Sequence, residues 1–196
     1  KLRINAMGSG NDDDIGWLLE NGPIATDRLT VQSVKFYMDG ALGSRGAMLI
    51  DPYSDLKGWR GVSMLDRDWF KNQLEQLHAS GMQAATHCIG DSAVRLVLNA
   101  YAEVLDGPND RRWRIEHAQV VAKDDMNQFG TYHIIPSIQP THATSDMYWA
   151  GERLGRNRIR RAYAYQELLA QNGMVALGTD FPVEDIDPRK TMFAAT

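Results

Sequence analysis

Short apolar runs alternate with stretches of amphipathic helical spacing along this chain, and that alternation constrains the fold more than any other feature. The apolar runs that we interpret as strands cover residues 2–7, 29–38, 82–88, 112–118, 133–140 and 174–180. Helical patterns cover residues 13–22, 66–81, 91–105, 122–130 and 158–173, and a last helix opens at residue 187. Strands that alternate with helices form βαβ units, so we predict an α/β fold with a parallel sheet covered by helices on both faces.

Two segments between these elements lack a regular pattern. Residues 39–63 are rich in glycine, proline and aspartate and predict a long loop, longer than structural connections usually are. Residues 141–149 predict a second loop. Residue signals mark some helix ends: Gly81 is the predicted C-cap of the helix before it, and Asp91 or Ser92 is the predicted N-cap of the next.

The composition excludes several classes of protein. A net charge of −4 leaves no basic surplus for nucleic acid. A lone cysteine, Cys88, excludes an intramolecular disulfide and suits a reducing compartment. No apolar run approaches the roughly 20 residues that span a bilayer, and no signal peptide precedes the first strand. We therefore expect a cytoplasmic protein that binds neither nucleic acid nor membrane.

Ionisable side chains stand at the ends of the last five predicted strands. They are Lys35 and Asp39, His87, His117, His142, and Asp180. Because the carboxyl ends of parallel strands meet on one face of such a fold, we expect these groups to share one rim. Neutral imidazoles and carboxylates are the ligands that a divalent ion such as zinc prefers, although iron and manganese accept the same set.

Each of these residues taken alone also has a purely structural interpretation. A histidine at a strand end often does no more than satisfy its hydrogen bonds. Lys35 could pair with a carboxylate such as Asp39, and Asp180 could cap the turn that follows it. The other histidines, His78 in a helix and His133 at the start of a strand, are predicted to be structural or solvent-facing. The joint placement of the rim residues favours a functional site.

Five motifs carry a family resemblance. VKFYMDGALGSRGA, THCIGDSAV, RIEHAQ, SIQPTHATSD and LGTDFPVEDIDP, in this order, resemble the amidohydrolase superfamily, specifically the YtcJ-like branch of the amidohydrolase 3 family. The resemblance implies a (β/α)8 barrel of the TIM-barrel type, with one or two divalent metal ions, zinc by expectation, at its carboxyl rim. Residues 2–7 would then form the third barrel strand. The chain would be a partial barrel of about six parallel strands, strands 3 to 8, with flanking helices.

The resemblance also implies roles for the metal-binding residues. Lys35 would be carbamylated and bridge two ions, which is chemically reasonable because a buried lysine has a lowered pKa and becomes a neutral nucleophile. His87 and His117 would bind the more exposed ion through neutral ring nitrogens. Asp180 would contact the metal site, take the proton of the attacking water and pass it to the leaving amine. An unmodified Lys35 in an ion pair remains the alternative.

The remaining implied roles concern the substrate. His142 would hydrogen-bond the carbonyl oxygen or the tetrahedral intermediate, although a structural histidine is an equal alternative. Asp39, Gly40, Ser44 and Arg45, in the long loop, would shape the substrate pocket. The loop aromatics Trp59, Tyr148 and Trp149 indicate that the pocket could accommodate an apolar or aromatic group of the substrate. The alternative is that these aromatics pack against neighbouring helices.

The chain departs from the family pattern in one respect. The superfamily supplies two metal-binding histidines as His-x-His on the first barrel strand, and this sequence contains no such pair. We therefore interpret residues 1–196 as one partial hydrolase barrel domain, with the first strands and a small β domain outside the chain. Such a fragment is expected to bind metal weakly, to be inactive, and to form homo-oligomers through its exposed edges.

The sequence leaves three functions open. The first is a metal-dependent hydrolase that acts on carbon–nitrogen bonds other than peptide bonds, in a small-molecule amide, N-acyl amine or N-formyl amine. The second is a non-catalytic barrel that binds a small molecule at the same rim. The third, a metal-independent enzyme for a phosphorylated substrate, is weakened because the last βα turn, GTDFPVEDID, is acidic and has no phosphate-binding glycine loop.

Overall fold

A parallel sheet forms the centre of the computed structural model, which describes residues 2–196. The strands are β1 (Ile4–Ser9), β2 (Ile24–Ala25), β3 (Leu29–Tyr37), β4 (Gln83–Cys88), β5 (Arg114–His117), β6 (Ile135–Ile138) and β7 (Ala176–Leu177). Their order is β1-β3-β4-β5-β6-β7 with all these pairs parallel, and β2 adds an antiparallel pair to β3. The sheet curls into a half-barrel of six parallel strands, which confirms the predicted partial TIM barrel.

Helices follow most of the strands. They are α1 (Asp12–Asn21), α2 (Arg67–Ala79), α3 (Asp91–Leu105), α4 (Gln128–Thr131), α5 (Pro140–Asp146), α6 (Ala150–Arg158), α7 (Tyr165–Asn172) and α8 (Pro188–Ala194). Short 3₁₀ turns cover Lys123–Asp125 and Ile159–Arg161. Among the described helices, none combines the length and apolar character that crossing a bilayer requires.

The main core lies between the sheet and the outer helices. On α2, Phe70, Leu74 and Leu77 are fully buried because their helical spacing puts them on the face that packs against the sheet. On α3, the side chain of Tyr101 is also fully buried, and its ring meets Trp113 edge-on with centroids 4.8 Å apart. This layer fixes the strands whose carboxyl ends carry the rim residues.

A second apolar cluster seats the long loop on the rim. Leu42, Leu49 and Tyr53 from the loop are buried against Ile89, Val120, Ala150 and Leu154. Arg45 and Arg153 both bind the carboxylate of Asp55, which ties the loop to α6. The predicted loop at residues 39–63 is confirmed as a segment without helix or strand, and these contacts give it a defined position above the sheet.

The structure corrects several predicted elements. Residues 141–149 were predicted as a loop, but α5 begins at Pro140, whose fixed φ suits the first helical position. The sequence analysis also missed α6, which contains Gly155 at a φ of 74°, and the short strand β2. The predicted helix 158–173 is divided, because Tyr163 lies at a φ of 54° between the 3₁₀ turn and α7.

Two predicted caps also differ. Gly90 is the N-cap of α3, since the carboxylate of Asp91 accepts a hydrogen bond from the backbone N–H of Ile50 at 2.8 Å. Ser80, one residue before Gly81, caps the C-terminus of α2. At α3 the difference arises because a contact elsewhere in the fold competes with the local capping preference. At α2, Gly81 directly follows the cap with a φ of 73°, the left-handed backbone for which glycine is favoured after a helix end.

Candidate metal centre and active site

Five of the predicted site residues line one cavity at the carboxyl ends of the strands. They are Lys35 on β3, His87 on β4, His117 at the end of β5, His142 on α5, and Asp180 after β7. The cavity has a volume of about 420 Å³. The parallel register of the strands explains the convergence, because it sets their carboxyl ends side by side.

The ring of His117 lies between those of His87 and His142. The ring centroids of His87 and His117 lie 4.5 Å apart, with the planes at 69°. The rings of His117 and His142 are stacked, with centroids 5.7 Å apart. One ligand atom each from His117, His142 and Asp180 can be chosen so that all three lie within 4.8 Å of one another. This group includes His142, to which the sequence analysis gave a substrate-binding role and not a metal-binding one.

Two backbone positions turn side chains into the cavity. His117 has a φ of 73° and Asp180 a φ of 55°, in the left-handed region that residues other than glycine seldom occupy. His117 directly follows the buried Glu116. The left-handed backbone at His117 therefore interrupts the regular alternation of side chains between the two faces of the strand. Left-handed backbone at non-glycine residues costs free energy and is concentrated at functional sites.

Buried ring nitrogens in the cavity have no partner among residues 2–196. The atoms are Nε2 of His87, Nδ1 of His117 and Nε2 of His142. A buried polar atom without a hydrogen bond costs free energy, and three on adjacent rings are unusual for a purely structural cluster. Imidazole nitrogens beside a carboxylate are a donor set that divalent metals bind. The residues present therefore fit a metal site.

The electrostatics keep two of these rings neutral. Burial lowers the pKa of His87 to about 4, and the positive charge of Lys35 adds to the effect. Burial also lowers the pKa of His117 far below its usual range, with further lowering from His87 and Lys35. Nε2 of His87 lies 3.6 Å from Oδ1 of Asp39, but a neutral ring forms no ion pair there. Neutral imidazoles have the free lone pair that metal binding requires.

Lys35 is half-buried beside these rings. Burial lowers its pKa, which Glu116 and Asp180 partly oppose through their charges. Its Nζ lies 5.0 Å from the ring centroid of Tyr37. Within the described part of the chain Lys35 has no carboxylate within ion-pair distance, so the alternative of an ion pair with Asp39 is not what the structure shows.

Asp39 instead organises the loop above the rim. Its carboxylate is buried and accepts hydrogen bonds from the backbone N–H groups of Met48 at 2.8 Å, Ile89 at 3.0 Å and Gly90 at 2.9 Å. Burial raises the pKa of Asp39 to about 7, and the three N–H donors act in the opposite direction. The contacts join the start of the long loop to the turn between β4 and α3.

The other loop residues predicted for the substrate pocket do not themselves line this cavity. Arg45 binds Asp55 with Nη2 2.8 Å from Oδ2, and Ser44 Oγ donates to the backbone oxygen of Ala41 at 3.2 Å. Gly40 packs against the backbone of Gly46. From this loop the cavity is lined by Ala41, Leu42 and Gly43. A role in substrate binding for Asp39, Gly40, Ser44 and Arg45 stays a prediction.

Sequence reasoning missed several residues that line the cavity. They are Tyr37, Gln119, Asp146, Val183 and Glu184. The signals were present, because Gln119 follows His117 by two positions and Asp146 ends the motif that contains His142. Of the three loop aromatics, only Trp149 lines the cavity, whereas Tyr148 is 82% exposed and Trp59 donates its indole N–H to the Arg45 oxygen at 2.7 Å.

The two histidines predicted to be structural lie elsewhere. His78 on α2 meets Trp113 edge-on with centroids 6.1 Å apart. His133 is exposed, and its Nδ1 lies 3.1 Å from the backbone oxygen of Asn109. Neither lines the cavity of the other three.

Comparison with known proteins identifies the family. A sequence profile described as "Amidohydrolase family" matches residues 2–196. The chain belongs to the amidohydrolase family. Its relatives include the protein LONG AFTER FAR-RED 3 of Arabidopsis thaliana, 38% identical over 173 residues, and the putative amidohydrolase YtcJ of Bacillus subtilis, 35% identical over 156 residues. These alignments cover 87% and 80% of this chain.

Solved structures support the same relationship. An uncharacterized metal-dependent hydrolase from Pyrococcus furiosus superposes over 100% of this amidohydrolase chain with a TM-score of 0.90 and 31% identity. A second, from Pyrococcus horikoshii, covers 98% with a TM-score of 0.84 and 30% identity. The alignments span 30% and 29% of the two sequence relatives, and 40% and 38% of the two solved chains.

Proposed function

We propose that this amidohydrolase chain carries the catalytic rim of a metal-dependent hydrolase acting on carbon–nitrogen bonds other than peptide bonds, in small-molecule amides, N-acyl amines or N-formyl amines. The observation that carries the proposal is the set of unpartnered nitrogens on His87, His117 and His142 in one cavity with Asp180. Family membership and the structural likeness to metal-dependent hydrolases support it.

The residues that would hold the metal are Lys35, as its carbamate, with His87, His117 and Asp180. The proposed ion is zinc, one or two per chain, because neutral imidazole and anionic oxygen suit it. A divalent ion in such a site supplies water with a pKa lowered to about 7 and polarises the carbonyl to be attacked. The half-buried amine of Lys35, with its lowered pKa, is suited to carbamylation.

The residues of the chain then divide the proton transfers and the binding of the substrate. Asp180 keeps 37% of its side chain exposed at the mouth of the cavity, where its carboxylate takes a proton from the attacking water and returns it to the leaving amine. His142 presents Nε2 to the cavity without a partner among the described residues, and we assign it the hydrogen bond to the carbonyl oxygen. Leu42, Ile89 and Trp149 exclude water from the apolar side.

We also propose that residues 1–196 are one segment of a longer cytoplasmic hydrolase. The alignments support this, since they span only 29–40% of the relatives' lengths. The half-barrel supports it too, because β1 and β7 each pair with a single parallel strand among the described residues. In isolation, the open edges of β1 and β7 should promote self-association, and the segment should bind metal weakly and have little activity.

The experiment compares the longer protein with its Asp180→Asn and His117→Ala variants. Metal analysis of the longer protein should give about one to two divalent ions per chain, and a panel of N-acetyl and N-formyl amines should include substrates that it hydrolyses. A metal content near zero with no hydrolysis would contradict the proposal and favour a barrel that only binds a small molecule. The His133→Ala variant, changed at an exposed histidine outside the cavity, is the matched control.

A further inference from the structure

We propose that Asp146 binds a cationic nitrogen of the substrate, so that this hydrolase prefers amides carrying a positively charged group with N–H donors. The inference rests on the proposed function and specifies its substrate class. Asp146 lines the cavity but is not one of the predicted metal ligands and does not belong to the group of His117, His142 and Asp180.

Asp146 is placed beside the reacting groups by its helix. It is the last residue of α5, four positions after His142, and residues with this spacing lie on the same face of a helix. Both side chains line the cavity. Asp146 is not part of the group formed by His117, His142 and Asp180, whose ligand atoms lie within 4.8 Å of one another. Because Asp146 lines the same cavity as that group, a substrate bound at the group can meet Asp146 with another of its atoms.

The carboxylate of Asp146 is held from one side only. Tyr163 donates its hydroxyl hydrogen to Oδ2 at 2.6 Å, and Gln119 donates its side-chain N–H to the same oxygen at 3.1 Å. Gln119 is only 3% exposed, and its Nε2 also lies 2.7 Å from the Tyr163 hydroxyl. The backbone N–H of Tyr163 donates to the backbone oxygen of Gln119 at 2.7 Å, which holds the two donor residues together.

This arrangement leaves one oxygen of Asp146 available. Both side-chain donors use Oδ2, and Oδ1 accepts no hydrogen bond from the described residues. Two neutral donors also leave the negative charge without a cationic partner. A carboxylate that is fixed in place, partly buried and uncompensated is arranged to bind a cation with N–H donors, since a charged hydrogen bond is stronger than a neutral one.

The charge of the cavity agrees with a cationic substrate. Its lining contains the carboxylates of Asp146, Asp180 and Glu184 and no arginine. Its one lysine, Lys35, is the residue that we propose carries the carbamate, and the carbamate is itself an anion. Arg45 in the long loop and Arg153 in α6 both bind Asp55. A substrate with its own carboxylate would meet like charge and find no guanidinium to receive it, so the cavity selects against anionic amides.

The test uses the longer protein, loaded with zinc, and three amides of similar size. They are N-acetyl-1,3-diaminopropane, which is cationic, N-acetylbutylamine, which is neutral, and N-acetyl-β-alanine, which is anionic. We expect kcat/KM to fall in that order. Asp146→Asn should lower kcat/KM for the cationic amide by about 10- to 100-fold, the usual loss when a charged hydrogen-bond partner is neutralised. It should leave the neutral amide within about threefold, and Asp146→Glu should restore part of the preference.

The Tyr163→Phe variant separates recognition from structural support. It keeps the carboxylate but removes one of the two donors that hold Oδ2. It should therefore raise KM for the cationic amide with a smaller effect than Asp146→Asn. Equal losses for all three amides in Asp146→Asn, or a wild-type preference for the neutral or anionic amide, would overturn the inference.

Failure of the proposed function is recognised separately. If the wild type hydrolyses none of the three amides, calorimetry on the chelator-treated protein measures binding of N-acetyl-1,3-diaminopropane without turnover. Binding at least tenfold tighter to wild type than to Asp146→Asn would support recognition by Asp146. Equal binding by the two proteins would refute it.

Discussion

Nε2 of His142 lies 3.7 Å from Oδ2 of Asp180, across the gap between the ends of β6 and β7. This separation is longer than the roughly 2.7–3.2 Å of an N–H···O hydrogen bond, so neither group satisfies the other. Both remain available to a third group placed between them. The unpartnered nitrogens of His87 and His117 extend the same arrangement across the ends of β4 and β5.

Metal binding should depend on the central histidine. His117 lies between the rings of His87 and His142, so His117→Ala removes a donor that its neighbours cannot replace. We expect the affinity of the longer protein for zinc to fall by more than about tenfold, since loss of even an outer-shell partner costs about 10- to 100-fold. Mass-spectrometric metal analysis after dialysis measures the change. The His133→Ala protein should keep its metal, and unchanged metal content in His117→Ala would contradict the site.

Asp180 should be required for turnover more than for metal binding. Asp180→Asn keeps an oxygen but loses the basic carboxylate, so kcat should fall by about 10²–10⁴-fold while most of the metal is retained. Asp185→Asn is the matched control, because Asp185 lies on the same loop and pairs with Lys190, with Nζ 2.5 Å from Oδ2. Turnover by Asp180→Asn at the wild-type rate would remove Asp180 from the mechanism.

Asp39 should contribute mainly to stability. Asp39→Ala leaves the backbone N–H groups of Met48, Ile89 and Gly90 without their acceptor, and we expect the free energy of unfolding to fall by about 3 kcal/mol. Denaturant titration followed by circular dichroism measures the loss. Asp51→Ala, at an exposed position of the same loop, should change stability by less than about 0.5 kcal/mol. Equal stabilities of the two variants would show that the Asp39 contacts contribute nothing.

A pair of glycines tests how closely the long loop approaches α3. A Cβ on Gly90 would overlap the carbonyl oxygen of Met48, which is backbone and cannot move aside as a side chain can. Gly90→Ala should therefore lower the free energy of unfolding by more than about 2 kcal/mol, and the melting temperature should fall with it. Gly151 in α6 has open space around it, so Gly151→Ala should raise stability by about 0.5–1 kcal/mol. A stable Gly90→Ala protein would mean that the loop is not packed there.

The sequence predicted the strands well because buried parallel strands are nearly continuous apolar runs. The observed β4, Gln83–Cys88, lies one residue inside the predicted limits of 82–88, and β3, Leu29–Tyr37, lies within 29–38. The helices after β6 were harder to predict from the sequence. Serine, threonine and aspartate in residues 141–149 are weak helix formers, and α5 depends on Pro140 at its start and on the burial of His142.

Part of the site was also predictable. Lys35, His87, His117, His142 and Asp180 share one cavity, as expected from their places at strand ends. The contacts of Asp39 were not predictable, because its N–H partners on Ile89 and Gly90 are 50 and 51 residues away along the chain. The position of Asp146 likewise depends on the missed α5 and on Tyr163, 17 residues further along.

By itself, the sequence determined the alternation of strands and helices and the ionisable residues at the ends of the last five predicted strands, because burial periodicity and chain order are local properties. Only the tertiary structure decided which ring nitrogens lack partners, how closely His117, His142 and Asp180 approach, and which oxygen of Asp146 is free. Those properties depend on the packing of segments that are distant along the chain, and no local pattern encodes the distance between them.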